Sequence, residues 1–213
     1  MHSAFAPYES LAERLLPHGI GADGDGSHDV SHLLRVWRNA SRLHAEEGGD
    51  DEILFAAAML HDCVAVEKNS SFRPQASRLS AEKATRCLRG LGWSESRVAA
   101  TTHAIEAHSF SAGIQPMTVE AKILQDADRL DAIGMIGVAR CFYVAGRLGT
   151  ALYDPADPDA SQRPYDDERY AVDHFQTKLL KLASGFQTVS GARLAQERHE
   201  RLRRFLADLR SEI

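Results

Sequence analysis

Long apolar runs are missing from this 213-residue chain. No stretch reaches the roughly 18 consecutive apolar residues expected of a membrane-spanning helix. The first residues, MHSAFAPYES, lack the basic start and long apolar stretch of a secretory signal. Cysteine is scarce and odd in number: Cys63, Cys87 and Cys141 lie far apart in apolar surroundings. That excludes a disulfide scaffold, points to reduced core thiols, and leads to a cytoplasmic expectation. Charge of one sign is also lacking, with 25 Lys+Arg against 30 Asp+Glu and a net charge of −5, which argues against a nucleic-acid binder. Disorder is excluded by 44% hydrophobic and 26% charged residues. Strand signals are scarce. Histidine, by contrast, is plentiful at ten residues, and its placement carries the functional argument.

The patterning is helical almost throughout. Phe5, Leu11, Leu15 and Leu16 give a helix over about 5–18, packed on the rest. A glycine- and acid-rich loop follows (GIGADGDGSHD, 19–29), and Ser27 or Asp29 caps a helix over 29–46 with Leu33, Val36, Ala40 and Leu43 as its apolar stripe. Asp50 or Asp51 caps ILFAAAMLHD, which is apolar nearly all round and therefore central. Further helices are expected from Ser80 to about 90, from Ser94 to about 108 and over 118–130, followed by a further apolar segment over 132–148. The segment DPADPDASQRP (154–164) reads as an exposed loop of the kind that rims an active site. Two helices close the chain, the last with Leu194, Leu202, Phe205, Leu206 and Leu209 facing inward. The expected fold is a single all-α domain.

Chemistry concentrates in a few places. His61-Asp62 ends the apolar central helix, where an unpaired histidine and carboxylate would be costly. A divalent metal resolves that cost; a polar helix end with an aspartate cap is the bland alternative. His28 and His32 are four residues apart and project from one face of the next helix upstream. Downstream, QDADRLDAIG holds Asp126, Asp128 and Asp131 in an apolar helix; Asp128 and Asp131 are neighbours, Asp126 points elsewhere, and Arg129 or Lys122 are possible structural partners. The spacing HDVSH also fits the H-x-x-x-H of zinc peptidases, but Asp29 is one methylene too short for their general-base glutamate.

The ordered set resembles the HD-domain superfamily of metal-dependent phosphohydrolases. It runs from HDVSHLLRV through LHD at 60–62 to IEAHSF, EAKILQDADRLDAIGMIGVAR, HFQTKLLKL and ERHERLRRFL. The likeness extends from about residue 27 to the C-terminus. It is similar to a bacterial branch of small HD proteins, some of which are nucleoside-triphosphate pyrophosphohydrolases.

The resemblance implies an antiparallel helical bundle with one divalent ion (Mn, Ni, Co, Fe or Mg) on His32, His61, Asp62 and Asp126. It implies hydrolysis of a phosphate ester or anhydride, by choice a nucleoside or deoxynucleoside triphosphate, in a monomer or homodimer. Asp62 is expected to act as bridging or terminal ligand, and Asp29 or Glu67 to orient water. The substrate phosphates are expected to meet His28, Lys68, Arg73, Arg78, His108 and Asp131. His103 lies five residues before His108, so both reach one site only if the helix ends between them. The alternatives are a nucleotide monophosphatase or phosphodiesterase of the same fold, a silent nucleotide-binding regulatory module, and a di-iron oxygenase of HD type.

Overall fold

The helix richest in apolar residues is buried along nearly its whole length. The computed structural model describes residues 2–19, 29–64, 66 and 75–213, which fall into two compact units, Met1–Asp128 and Arg129–Ile213.

In the first unit, α3 (Asp51–Leu60) buries every residue from Ile53 to Leu60. Its start is set by Asp50, whose Oδ1 accepts the Ile53 amide at 3.0 Å. Arg97 then holds the same carboxylate at 2.9 Å. Helices α1 (Glu9–Gly19), α2 (Val30–Glu47) and α5 (Glu95–His108) pack directly on α3. Tyr8, Trp37 and Phe55 join them through ring contacts at 4.9–5.8 Å. Burial of each such side chain contributes about 1.5–3 kcal/mol.

Helix α2 turns the stripe Leu33, Val36, Ala40 and Leu43 inward, as the spacing requires, and stops at Gly48 with φ 77°. Helix α4 (Ala76–Gly90) begins four residues before the Ser80 start read from sequence; Ser80 is instead buried within it. Ser94 caps α5 as expected, accepting the Arg97 amide. Helix α6 (Val119–Asp131) buries Ala121, Ile123, Leu124 and Ala127, and Asn39 of α2 donates to the Ala127 carbonyl at 3.0 Å.

The second unit pairs α7 (Gly134–Leu148) with α9 (Val189–Arg210), while α8 (Asp173–Thr177) is a single short turn. Phe142, Phe175 and Phe205 cluster at 5.6–6.0 Å. Arg129 donates to the carbonyls of Leu182, Ser184 and Gly185, pinning the turn before α9. The proline-rich segment 154–164 is indeed a surface loop, but a tied one. Arg163 grips buried Asp173 through two bonds, reaches Asp154 at 3.2 Å, and lies 4.5 Å over the Tyr170 ring. Among the described residues the only strand-like pairing is a bridge between Ala151 and Tyr170. The fold is all-α, and none of its described helices is long and apolar enough to cross a membrane.

Two glycines separate packing from propensity. A Cβ at Gly19 would lie 2.2 Å from the Met59 carbonyl of α3, whereas one at Gly90 meets nothing within 4 Å. Gly19→Ala should therefore destabilise by about 1–3 kcal/mol through overpacking. Gly90→Ala should stabilise by about 0.5–1 kcal/mol through propensity. Denaturant titration of both variants checks the pair, and equal effects would contradict the α1–α3 contact.

Candidate metal centre

Two helix ends and two helix faces meet in the first unit. His61 follows the last residue of α3, and its ring Nδ1 lies 2.9 Å from the Ala58 carbonyl. A carbonyl only accepts, so Nδ1 carries the proton and Nε2 of the neutral ring presents a lone pair. His108, the last residue of α5, repeats the device with Nδ1 2.6 Å from the Ile105 carbonyl. Both rings are thereby aimed by the carbonyl three residues back, one of those left over where a helix stops.

His61 Nε2 lies 3.2 Å from Nε2 of His32, one turn into α2. Asp128 of α6 completes this side, its Oδ1 3.6 Å from His32 Nε2 and 3.8 Å from His61 Nε2. On the other side Asp62 Oδ2 is 3.8 Å from His61 Nε2, and Asp62 Oδ1 is 3.5 Å from His108 Nε2. Two groups of three potential ligands result, His32–His61–Asp128 and His61–Asp62–His108, sharing His61.

Burial separates the ionisation of these groups. His61 is fully buried, and loss of hydration lowers its pKa to about 4; Asp62 and Asp128 oppose the shift, while His108 and His32 add to it. Burial pushes Asp62 up, but His61, His108 and His32 override it and hold the carboxyl well below the usual range. Burial pulls His108 down, yet the Asp62 carboxylate facing it wins and leaves the imidazole raised.

The donor set fits a divalent metal. Ligands about 2.1 Å from one ion stand about 3.0 Å apart in an octahedron and about 3.4 Å apart in a tetrahedron, close to the 3.2–3.8 Å seen here. Imidazole nitrogen with carboxylate oxygen suits first-row transition ions. The C-terminal ends of α3 and α5 add partial negative charge. Among the described residues, the ion-pair partners of Asp62 and Asp128 are imidazoles rather than lysine or arginine.

The structure brings His32 against His61, and Asp62 against both His61 and His108. One assignment needs correcting: the carboxylate beside His32 and His61 is Asp128, where the sequence reading chose Asp126. The two are about 200° apart around α6. Asp126 is fully buried and belongs to neither ligand group. Asp29, expected to orient water, caps α2 instead, its Oδ1 accepting the Ser31 amide and hydroxyl and the His32 amide at 2.6–3.1 Å. Its pKa is lowered by these bonds despite partial burial.

Asp131, expected to contact substrate, is buried in the second unit and paired with Arg140 at 3.1 Å. Arg78 is exposed on α4. His28, Glu67, Lys68 and Arg73 lie outside the described residues. His103 accepts the Met117 amide at 3.0 Å and closes the turn after α5, so it serves structure rather than the site. Sequence reasoning missed Lys83, which donates to the Cys63 carbonyl at 2.8 Å and anchors the chain just past Asp62. No local motif marked it.

This centre, set on four helices, defines a class. The chain belongs to the HD-domain family. The HD-domain family model matches residues 29–133. YpgQ, an uncharacterised protein of Bacillus subtilis, is 33% identical over 198 residues, covering 91% of this chain and 88% of its own. A crystal structure of YpgQ in complex with ADP matches with a TM-score of 0.72 at 30% identity, over 96% of this chain and 97% of that one. An HD-superfamily hydrolase from Bacillus thuringiensis matches with a TM-score of 0.71 at 30% identity, over 95% and 93% respectively.

Substituting Asp128→Asn or His61→Ala should weaken divalent-metal binding by about 100-fold or more, beyond the 10–100-fold typical of outer partners. Asp126→Asn should leave metal stoichiometry unchanged. Affinity should fall with falling pH, because protons compete for imidazole and carboxylate alike. Metal analysis after dialysis checks this; loss of metal in Asp126→Asn with retention in Asp128→Asn would restore Asp126 as the ligand.

Proposed function

We propose that this protein is a metal-dependent phosphohydrolase that converts nucleoside or deoxynucleoside triphosphates to monophosphate and pyrophosphate. The observation that carries the reading is the clustering around His61, whose Nε2 lies 3.2 Å from His32 Nε2 and 3.8 Å from a carboxylate oxygen of both Asp62 and Asp128. The ADP held by YpgQ supports a nucleotide as ligand. A bound divalent ion would supply Lewis acidity and a hydroxide equivalent near neutral pH.

The chain's own groups do the rest. The Ala58 carbonyl keeps the His61 proton on Nδ1, so Nε2 stays available as a ligand. Asp62 faces His61 on one oxygen and His108 on the other, which couples the ligand set to a histidine able to meet a phosphate oxygen. In the reaction, water forms a bond to the α-phosphorus, the bond from that phosphorus to the α,β-bridging oxygen breaks, and pyrophosphate leaves with the electron pair. The proton from water passes to solvent or a neighbouring base. A triphosphate carries more negative charge than one divalent ion neutralises, so further cations are needed. Lys68, Arg73 and Arg78, which follow the ligand pair in sequence, are assigned that task.

Incubation with triphosphates and Mn²⁺, Co²⁺, Ni²⁺ or Mg²⁺ should release pyrophosphate and monophosphate. His108→Ala should retain metal but lose turnover by about 10²- to 10⁴-fold if the ring acts on the reacting phosphate. Orthophosphate released from a monophosphate would move the assignment to a nucleotidase. Metal binding with no turnover on any phosphate compound would favour a regulatory module.

A further inference from the structure

A histidine at the end of a helix has little support from its own backbone, because the last four carbonyls lack the amides of a following turn. After His108 the chain becomes extended at Ser109, with φ −77° and ψ 110°. The Ala107 carbonyl therefore needs a donor from elsewhere. Gln125 of α6 supplies it, with Nε2 2.7 Å from Ala107 O. Both residues are buried, Gln125 at 2% exposure and Ala107 at 0%. That carbonyl shares a rigid peptide plane with the His108 amide, so the bond fixes the plane from which the ring projects. The ring's own bond to Ile105 fixes its rotation.

The other end of the Gln125 amide strengthens the case. Since Nε2 must face the carbonyl, Oε1 turns into the interior, where it has no hydrogen-bond partner among the described residues. An unsatisfied buried acceptor destabilises the fold. A methionine of similar length would fill the space without that penalty and without the bond.

We propose that Gln125 is a positioning residue for His108. Its amide locks the Ala107–His108 peptide so that His108 Nε2 stays directed at Asp62 and the substrate phosphate. This rests on the reading of the centre as a phosphohydrolase site. Gln125 and Asp128 stand three residues apart on α6, so one helix sets both the carboxylate beside His32 and His61 and the clamp behind His108.

The test compares Gln125→Met, Gln125→Glu, His108→Ala and the Gln125→Met/His108→Ala double variant. Metal content, kcat, KM, thermal stability and histidine side-chain nitrogen NMR are measured on each. Gln125→Met should keep its metal and its stability, with kcat reduced about 10- to 100-fold and KM little changed. The same change should have no further effect when His108 is already alanine. Gln125→Glu should retain most turnover, because its buried carboxyl stays protonated and donates to Ala107.

The wild type should give one set of His108 nitrogen signals, and Gln125→Met should give mixed or broadened ones. Unchanged kcat in Gln125→Met, an undiminished fall in the His108→Ala background, or Gln125→Glu no better than Gln125→Met would each overturn the proposal. Absence of turnover in the wild type would overturn only the phosphohydrolase reading. The nitrogen signals then decide alone, and identical His108 signals in wild type and Gln125→Met would reject the clamp.

Discussion

His32 Nε2 and His61 Nε2 face each other 3.2 Å apart in the interior. Because His61 keeps its proton on Nδ1, what lies between the two nitrogens must be a proton on His32 or a cation shared by both. A proton would satisfy one pair and leave Asp62 and Asp128 to meet imidazoles at 3.5–3.8 Å, too far for good hydrogen bonds. A divalent ion beside His61 satisfies the nitrogens and carboxylate oxygens that face it. Much of the first unit follows from this constraint, because the end of α3 and the faces of α2 and α6 must deliver their donors around His61.

How they do so is simple in physical terms. Helices α3 and α5 end at the site, so unpaired carbonyls of their last turns orient the histidines that follow. Helix α2 is tied to α6 by Asn39 on the Ala127 carbonyl, next to Asp128. Helix α5 is tied to α6 by Gln125. The apolar burial of α3 makes the framework stiff, and the polar side chains at its end use that stiffness.

Much of this was legible in the sequence. The stripe of α2, the all-round apolarity of α3, and the caps Asp50 and Ser94 follow from local chemistry and occur where expected. The pair His61-Asp62 stood out because a polar ending to so apolar a helix needs a reason. What spacing alone could not decide was rotation. Asp126 and Asp128 sit in the same motif, and only packing of α6 against α2 selects the one facing His32. Asp29 was ambiguous for a related reason: a carboxylate before a helix serves equally as cap or catalytic group until the cap geometry is seen. The loop 154–164 was rightly read as exposed, but its tie through Arg163 to Asp173 depends on a residue nine positions beyond its end.

The most direct test is to locate the ion itself. Crystals grown with Mn²⁺ and measured for anomalous scattering should place one manganese within bonding distance of His32, His61, Asp62 and Asp128, with His108 beside Asp62. Manganese bound at Asp126, or no ordered manganese between His32 and His61 at saturating concentration, would contradict the account.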